Sequence, residues 1–208
     1  MAMLRPVVLA SIAAALVAGV AGCGSGSSDP LAGDSAATII TEAKANTIAA
    51  QSLTISGGEP SAHASIDLTI VHGLGCTGTV TQSSGTTSTL IWIGKTVYAH
   101  TKGMPATEWM KGTSSESNLQ GLLALCMPGS LLASLDPSDV TSATRSVTVY
   151  DGGPALSLSL PGTAGGQGGT IVVTDTATPV LLKISQPGSG GLTFSRYGAT
   201  KTIAPPAA

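Results

Sequence analysis

Three cysteines carry most of the reactive chemistry in this sequence, and their surroundings differ sharply. Cys23 closes an apolar run and follows the small residues Ala21 and Gly22. Cys76 and Cys126 lie far downstream, 50 residues apart, with no other Cys or His at metal-ligand spacing beside either. The three histidines, His63, His72 and His100, are isolated; on a regular strand His63 and His72 would face opposite ways, so no metal is expected. Residues 73–78, GLGCTG, match the letters of a dinucleotide fingerprint. That motif works only where a helix begins at the glycines and meets a pyrophosphate, and here the glycines fall between two strand patterns. Neither H-E-x-x-H nor G-x-S-x-G occurs, and no nucleophile neighbours a base in sequence, so no catalytic residue and no cofactor is expected. Trp92 and Trp109 each stand next to or near a glycine, and admit two readings: core and sheet-edge packing, or the wall of an apolar cavity.

The N-terminus explains Cys23. Arg5 is the only charged side chain before an almost unbroken apolar stretch over residues 7–20. Fourteen residues are too few to span a bilayer core comfortably and suit a signal-peptide core. The sequence Val20-Ala21-Gly22-Cys23 resembles the lipobox of bacterial lipoprotein signal peptides, in which the cysteine receives a diacylglycerol; the alternative is an ordinary secretory signal with an incidental cysteine. The expectation is a signal peptide over 1–22, an acylated Cys23 with a flexible tether over 23–33, and one domain over 34–208. An anchor of two or three acyl chains holds durably, at ~0.8 kcal/mol per buried methylene. The expected partners are therefore the membrane, through that anchor, and the export and lipoprotein-processing machinery. The expected location is the extracytoplasmic face of the cell membrane.

Composition bounds the rest. Removing 22 residues from 208 leaves 186, enough for a real core, and losing Arg5 moves the formal charge from -2 to -3. The mild acidity and the scattered Lys and Arg argue against nucleic acid. In an exported chain whose Cys23 is acylated, Cys76 and Cys126 form an even pair that reads as one disulfide, the alternative being two buried thiols.

The elements that must position these residues follow from periodicity. A helix over 35–50, capped by Asp34, buries Ile39 and Ile40 and leaves Glu42, Lys44 and Asn46 to water. Strands are expected at 64–70, 76–82, 86–93, 95–101 and 108–111. After helical segments at 118–125 and 131–135, strands resume at 146–150, 155–160, 170–174, 180–185 and 192–197, with a short last one at 201–204. Short connections make successive strands antiparallel.

The lipobox VAGC, the early helix, TLIWIGKTVYAHTKG leading into TEWMKG, and the ending VLLKISQ followed by LTFSRYGATKTIAPP together resemble the actinobacterial and mycobacterial lipoproteins of the LppX/LprG group, relatives of the lipoprotein carrier LolA. The resemblance runs over residues 34–206, and no segment except the lipobox, which precedes that span, is a specific motif. It implies an α+β fold: a long curved antiparallel sheet, a half-barrel with helices over its concave face. It also implies an apolar cavity that carries a lipid or glycolipid, with Ile39, Ile40, Trp92, Leu119, Leu122 and Leu123 as lining positions. Two features depart from the group: Phe194 is the only phenylalanine, and a Cys76–Cys126 bridge would staple covering helices to the sheet. The other expectation is an envelope structural, sensory or protein-interaction lipoprotein with a filled core and no small-molecule ligand.

Overall fold

The computed structural model describes residues 29–59, 64–162, 168–188 and 190–207; the expected signal peptide, Cys23 and His63 lie outside them. Eleven strands form one antiparallel sheet. They are β1 (Ser52–Glu59), β2 (Ala64–Val71), β3 (Gly75–Gln82), β4 (Thr87–Ile93), β5 (Thr96–Thr101), β6 (Met110–Thr113), β7 (Thr144–Tyr150), β8 (Gly153–Leu160), β9 (Gly169–Thr174), β10 (Leu181–Gln186) and β11 (Gly190–Ser195). The spatial order is β6-β5-β4-β3-β2-β1-β11-β10-β9-β8-β7, so two meanders meet where the first and last strands pair, Ile55 opposite Phe194.

This order corrects the half-barrel. β6 and β7 are free edges at opposite ends, and the sheet is neither closed nor strongly curled. Curling a sheet takes bulges that re-aim its strands, and the described ladders shift register once, between Leu181 and Lys183. The chain between the two edge strands must cross the full width of the sheet. It does so as a 3-10 turn (Ser117–Leu119), α2 (Gln120–Leu125), α3 (Pro128–Leu131) and a second 3-10 turn (Pro137–Val140). Together with α1 (Ala36–Ala49), these pieces supply the other side of the core.

Strand alternation separates two faces. One carries Leu53, Ile55, Leu68, Ile70, Leu90, Leu158, Ile171 and Phe194, which join Ile39, Ile40, Leu132 and Val140 in a single cluster of buried side chains. The other is hydroxylated at its centre: Thr77, Thr69, Thr54 and Ser195 stand side by side on four adjacent strands, and Thr79, Asp67, Ser56 and Thr193 form the next row, with Ile91, Tyr98 and Val172 on the same face to either side.

The helix is capped by Ser35, one residue later than expected: its side chain accepts from the amide of Thr38 at 3.1 Å. Glu42 is exposed, but Lys44 and Asn46 do not simply face water. Lys44 donates to the carbonyl of Leu135 (2.8 Å) and Asn46 to that of Pro179 (2.9 Å), each tying α1 to a loop. Thr47 is fully buried and accepts the amide of Leu181 at 3.0 Å, while Tyr197 donates its hydroxyl to the carbonyl of Leu181. The segment at 201–204 is not a strand. β11 already has β1 on one side and β10 on the other, so the tail has no edge to join. It turns at Arg196 (φ 53°) and runs over the hydroxylated face instead. There Ser52 donates to the carbonyl of Ala199 (2.7 Å) and Lys201 to Thr69 (3.1 Å).

Candidate functional site

The apolar opening with the most chemistry around it lies at one end of the sheet, where the β2–β3 turn, the end of α1 and the α2–α3 junction converge. The β2–β3 turn is tight, with the amide of Leu74 on the carbonyl of Val71 at 3.1 Å, and it projects Leu74 outward, 54% exposed. The carbonyl of Leu74 accepts from Gly94 (3.1 Å), which locks this turn to the one between β4 and β5. Trp92 is half-buried, and its indole N–H donates to the carbonyl of Gly94 at 2.7 Å. Only glycine fits at position 75: its φ is 138°, and a Cβ there would collide with the backbone carbonyl of Trp92.

Cys76 stands opposite Trp92 in the ladder and is bonded to Cys126, the residue that ends α2. Their Cα atoms are 5.8 Å apart, inside the range a bridge needs. The disulfide thus holds the α2–α3 junction against β3. Met127 is extended there and 39% exposed, and Pro128 and Gly129 start α3 beyond it. Between these parts lies an open cleft of about 350 Å³, lined by Ile48, Ile70, Leu74, Trp92, Met127 and Pro128 among others. His72, exposed, stands in its lining.

Of the six lining positions implied by the resemblance, Trp92 alone borders this cleft. Ile39 and Ile40 are fully buried and Leu123 is 3% exposed, all three in the packed core, while Leu119 and Leu122 are half-buried against that core. Trp109 is elsewhere, its ring 5.2 Å from that of His100, so the two tryptophans do not share a wall. Sequence reasoning missed Leu74 and Met127. The available signal was a large apolar residue placed where the chain turns, beside glycines or before a proline, with no strand or helix face to hide it.

Four ionisable side chains elsewhere, Tyr197, Asp136, Asp175 and Arg145, hold the fold together. Burial pushes the Tyr197 phenol up to about 12, which keeps it a hydrogen-bond donor. Hydrogen bonds from the backbone and hydroxyl of Ser138 hold the Asp136 carboxyl below its ordinary value. Asp175 is raised, first by desolvation and then by the neighbouring Asp29 carboxylate, with Arg145 opposing. Arg145 pairs with Asp29 at 3.5 Å and donates to the carbonyls of Leu31 and Asp34 (2.8 and 2.7 Å), so it pins the start of the domain to β7. Among the described residues no group of three His, Cys, Asp or Glu side chains could hold a metal ion, and no helix is long and apolar enough to cross a membrane. No protein-family model matches the chain, and no curated protein is significantly similar to it in sequence.

Proposed function

We propose that this protein is an extracytoplasmic lipoprotein, anchored to the membrane through acylated Cys23, that binds an apolar chain of a lipid or glycolipid in the cleft beside Trp92. The observation that carries the reading is the cleft itself. Its volume of about 350 Å³ is within the range of small-ligand sites, its walls are mainly apolar, and Leu74 and Met127 stay exposed at it. An exposed apolar wall that the protein does not cover is stabilised by an apolar occupant. The core behind it is filled by Ile39, Ile40, Leu132 and Phe194, so an occupant lies in an open groove, with part of it reaching solvent. The resemblance to the LppX/LprG group adds sequence support through its lipobox and strand segments.

The test is mass spectrometry of an organic extract of the purified chain, whose own acyl groups stay covalently attached. One lipid class recovered near one per protein, and lost in Met127→Asp or Gly129→Trp, is the expected result. Gly129 has open space around its Cβ position, so the second change fills the cleft without disturbing the core. Clean protein, or a mixture indifferent to both changes, would transfer the cleft to the competing reading, a patch for a protein partner. The filled core favours that alternative to the same extent that it rules out deep burial of a ligand.

A further inference from the structure

The hydroxylated face of the sheet carries a second hollow, independent of the apolar cleft. Its volume is about 390 Å³, and its floor is made of side chains from three central strands, β1, β2 and β3. Thr54, Thr69 and Thr77 form one row and Ser56, Asp67 and Thr79 the next. Side chains facing each other across strands sit about 5 Å apart, so a ring-sized ligand meets several hydroxyls at once. Ser195, Arg196 and Lys201, from β11 and the tail, form the remaining wall.

The tail makes this a built feature. It covers Ser52, Thr54 and Thr69, which are 5%, 8% and 9% exposed although they belong to the polar face. The inner hydroxyls are already paired, Thr54 with Thr69 at 3.2 Å and Thr69 with the Lys201 ammonium at 3.1 Å. Thr77 and Thr79 make no side-chain hydrogen bond among the described residues, and the single ion pair there is Arg145–Asp29. Asp67 and Arg196 therefore face the hollow without salt-bridge partners among the described residues. Two cations against one carboxylate make a locally positive site on a chain whose net charge is -2. A third hollow, of about 470 Å³, shares Ser195 and Arg196 with this one and adds Tyr150, Asp151, Leu182, Phe194 and Tyr197 among others.

We infer that the Thr69–Asp67–Arg196–Lys201 hollow is a binding site for an acidic saccharide, a sugar bearing a carboxylate or a phosphate. Hydroxyl side chains both donate and accept, which matches a ligand made of hydroxyls; an ionised Asp67 accepts from them, and Arg196 and Lys201 take the acid group. The hollow offers an acyl chain no large apolar wall.

The experiment is calorimetric titration of the full acylated chain, in a detergent without a sugar headgroup, using galacturonic acid, glucose 6-phosphate, galactose, glucose, acetate and inorganic phosphate. At least one acidic sugar should bind, with its neutral counterpart and the bare anion each at least about tenfold weaker, the scale of one charge-assisted contact. Whether the carboxylate or the phosphate binds identifies the acid group. Arg196→Asn removes the charge yet suits the left-handed backbone there, and Lys201→Met removes the other. Each should weaken the acidic sugar about tenfold or more, whereas Met127→Asp in the apolar cleft should leave it unchanged. No binding at millimolar sugar, equal affinity for neutral and acidic sugars, bare anions binding as well as the sugars, or indifference to both charge removals would overturn the inference.

Discussion

Reduction of the Cys76–Cys126 bridge tests how the α2–α3 junction is held. The bridge closes a loop with a sequence separation of 50. Cross-linking a loop of that length removes denatured-state entropy equivalent to about 4 kcal/mol near 25 °C in the chain-entropy model. Cys76 and Cys126 are 0% and 2% exposed, and a reduced thiol behaves as a small apolar side chain, so the native contacts should largely survive reduction. Against a typical domain stability of about 5–15 kcal/mol, the reduced protein should stay folded at low denaturant while losing a large share of its margin. Urea unfolding with and without reductant, followed by circular dichroism, measures the difference. The slope should rise slightly on reduction, since the unlinked denatured chain exposes more surface. Trp92 fluorescence should change below the main transition if the junction loosens first, because Cys76 and Trp92 are cross-strand partners. A loss under about 1 kcal/mol, or alkylation of both cysteines without reductant, would refute the reasoning.

Three further outcomes follow from residues whose surroundings constrain them. Thr47→Val keeps the shape of the side chain but leaves the buried amide of Leu181 without its acceptor, at a cost of about 1–3 kcal/mol in urea unfolding. Gly75→Ala should unfold at clearly lower urea, by more than about 1 kcal/mol, because its φ of 138° and the facing Trp92 carbonyl both exclude a Cβ. Asp175 holds its proton more tightly in the folded chain than the ordinary value of 3.8, so its contribution is fully present below that value and is lost as pH rises through the raised folded one. Asp175→Asn should therefore flatten the fall in stability over that window, which a pH series of thermal melts reads directly.

Local pattern carried much of this fold. The alternation of Ile66, Leu68 and Ile70 with Ser65, Asp67 and Thr69 marks β2 in the sequence, and the observed strand spans Ala64–Val71. The strand at 155–160 is legible for the same reason, and those at 76–82 and 86–93 as a hairpin about Ser83, Ser84 and Gly85. β1 was not, although it joins the two halves of the sheet. Its second half is Ser56, Gly57, Gly58 and Glu59, a stretch that reads as a turn; Gly57 is there because a Cβ would meet the backbone of Gly191 on β11. Close approach between two central strands is a tertiary demand that no periodicity encodes. The helical segment expected at 131–135 lies earlier, at Pro128–Leu131, because Pro128 favours the first turn of a helix as readily as it breaks one. Sheet curvature came from a resemblance, and the open, weakly curled sheet corrects it.

The candidate sites divide on the same principle. The implied lining residues were chosen for hydrophobicity on helical faces, and such residues are the ones a compact domain buries first: Ile39, Ile40 and Leu123 pack the core. What remains accessible is apolar surface that topology strands in turns, Leu74 and Met127, and polar surface that alternation directs outward, such as Asp67, Thr77 and Thr79. Helices crossing from β6 to β7 cover one face, and alternation puts the central hydroxyl rows on the other. The long chain between the edge strands thus divides the surface, with an apolar groove left beside its disulfide staple and a broad hydroxylated face left open opposite. A lipid reaching the first and a sugar reaching the second would bind independently, which is why Met127→Asp and Arg196→Asn must each leave the other site intact.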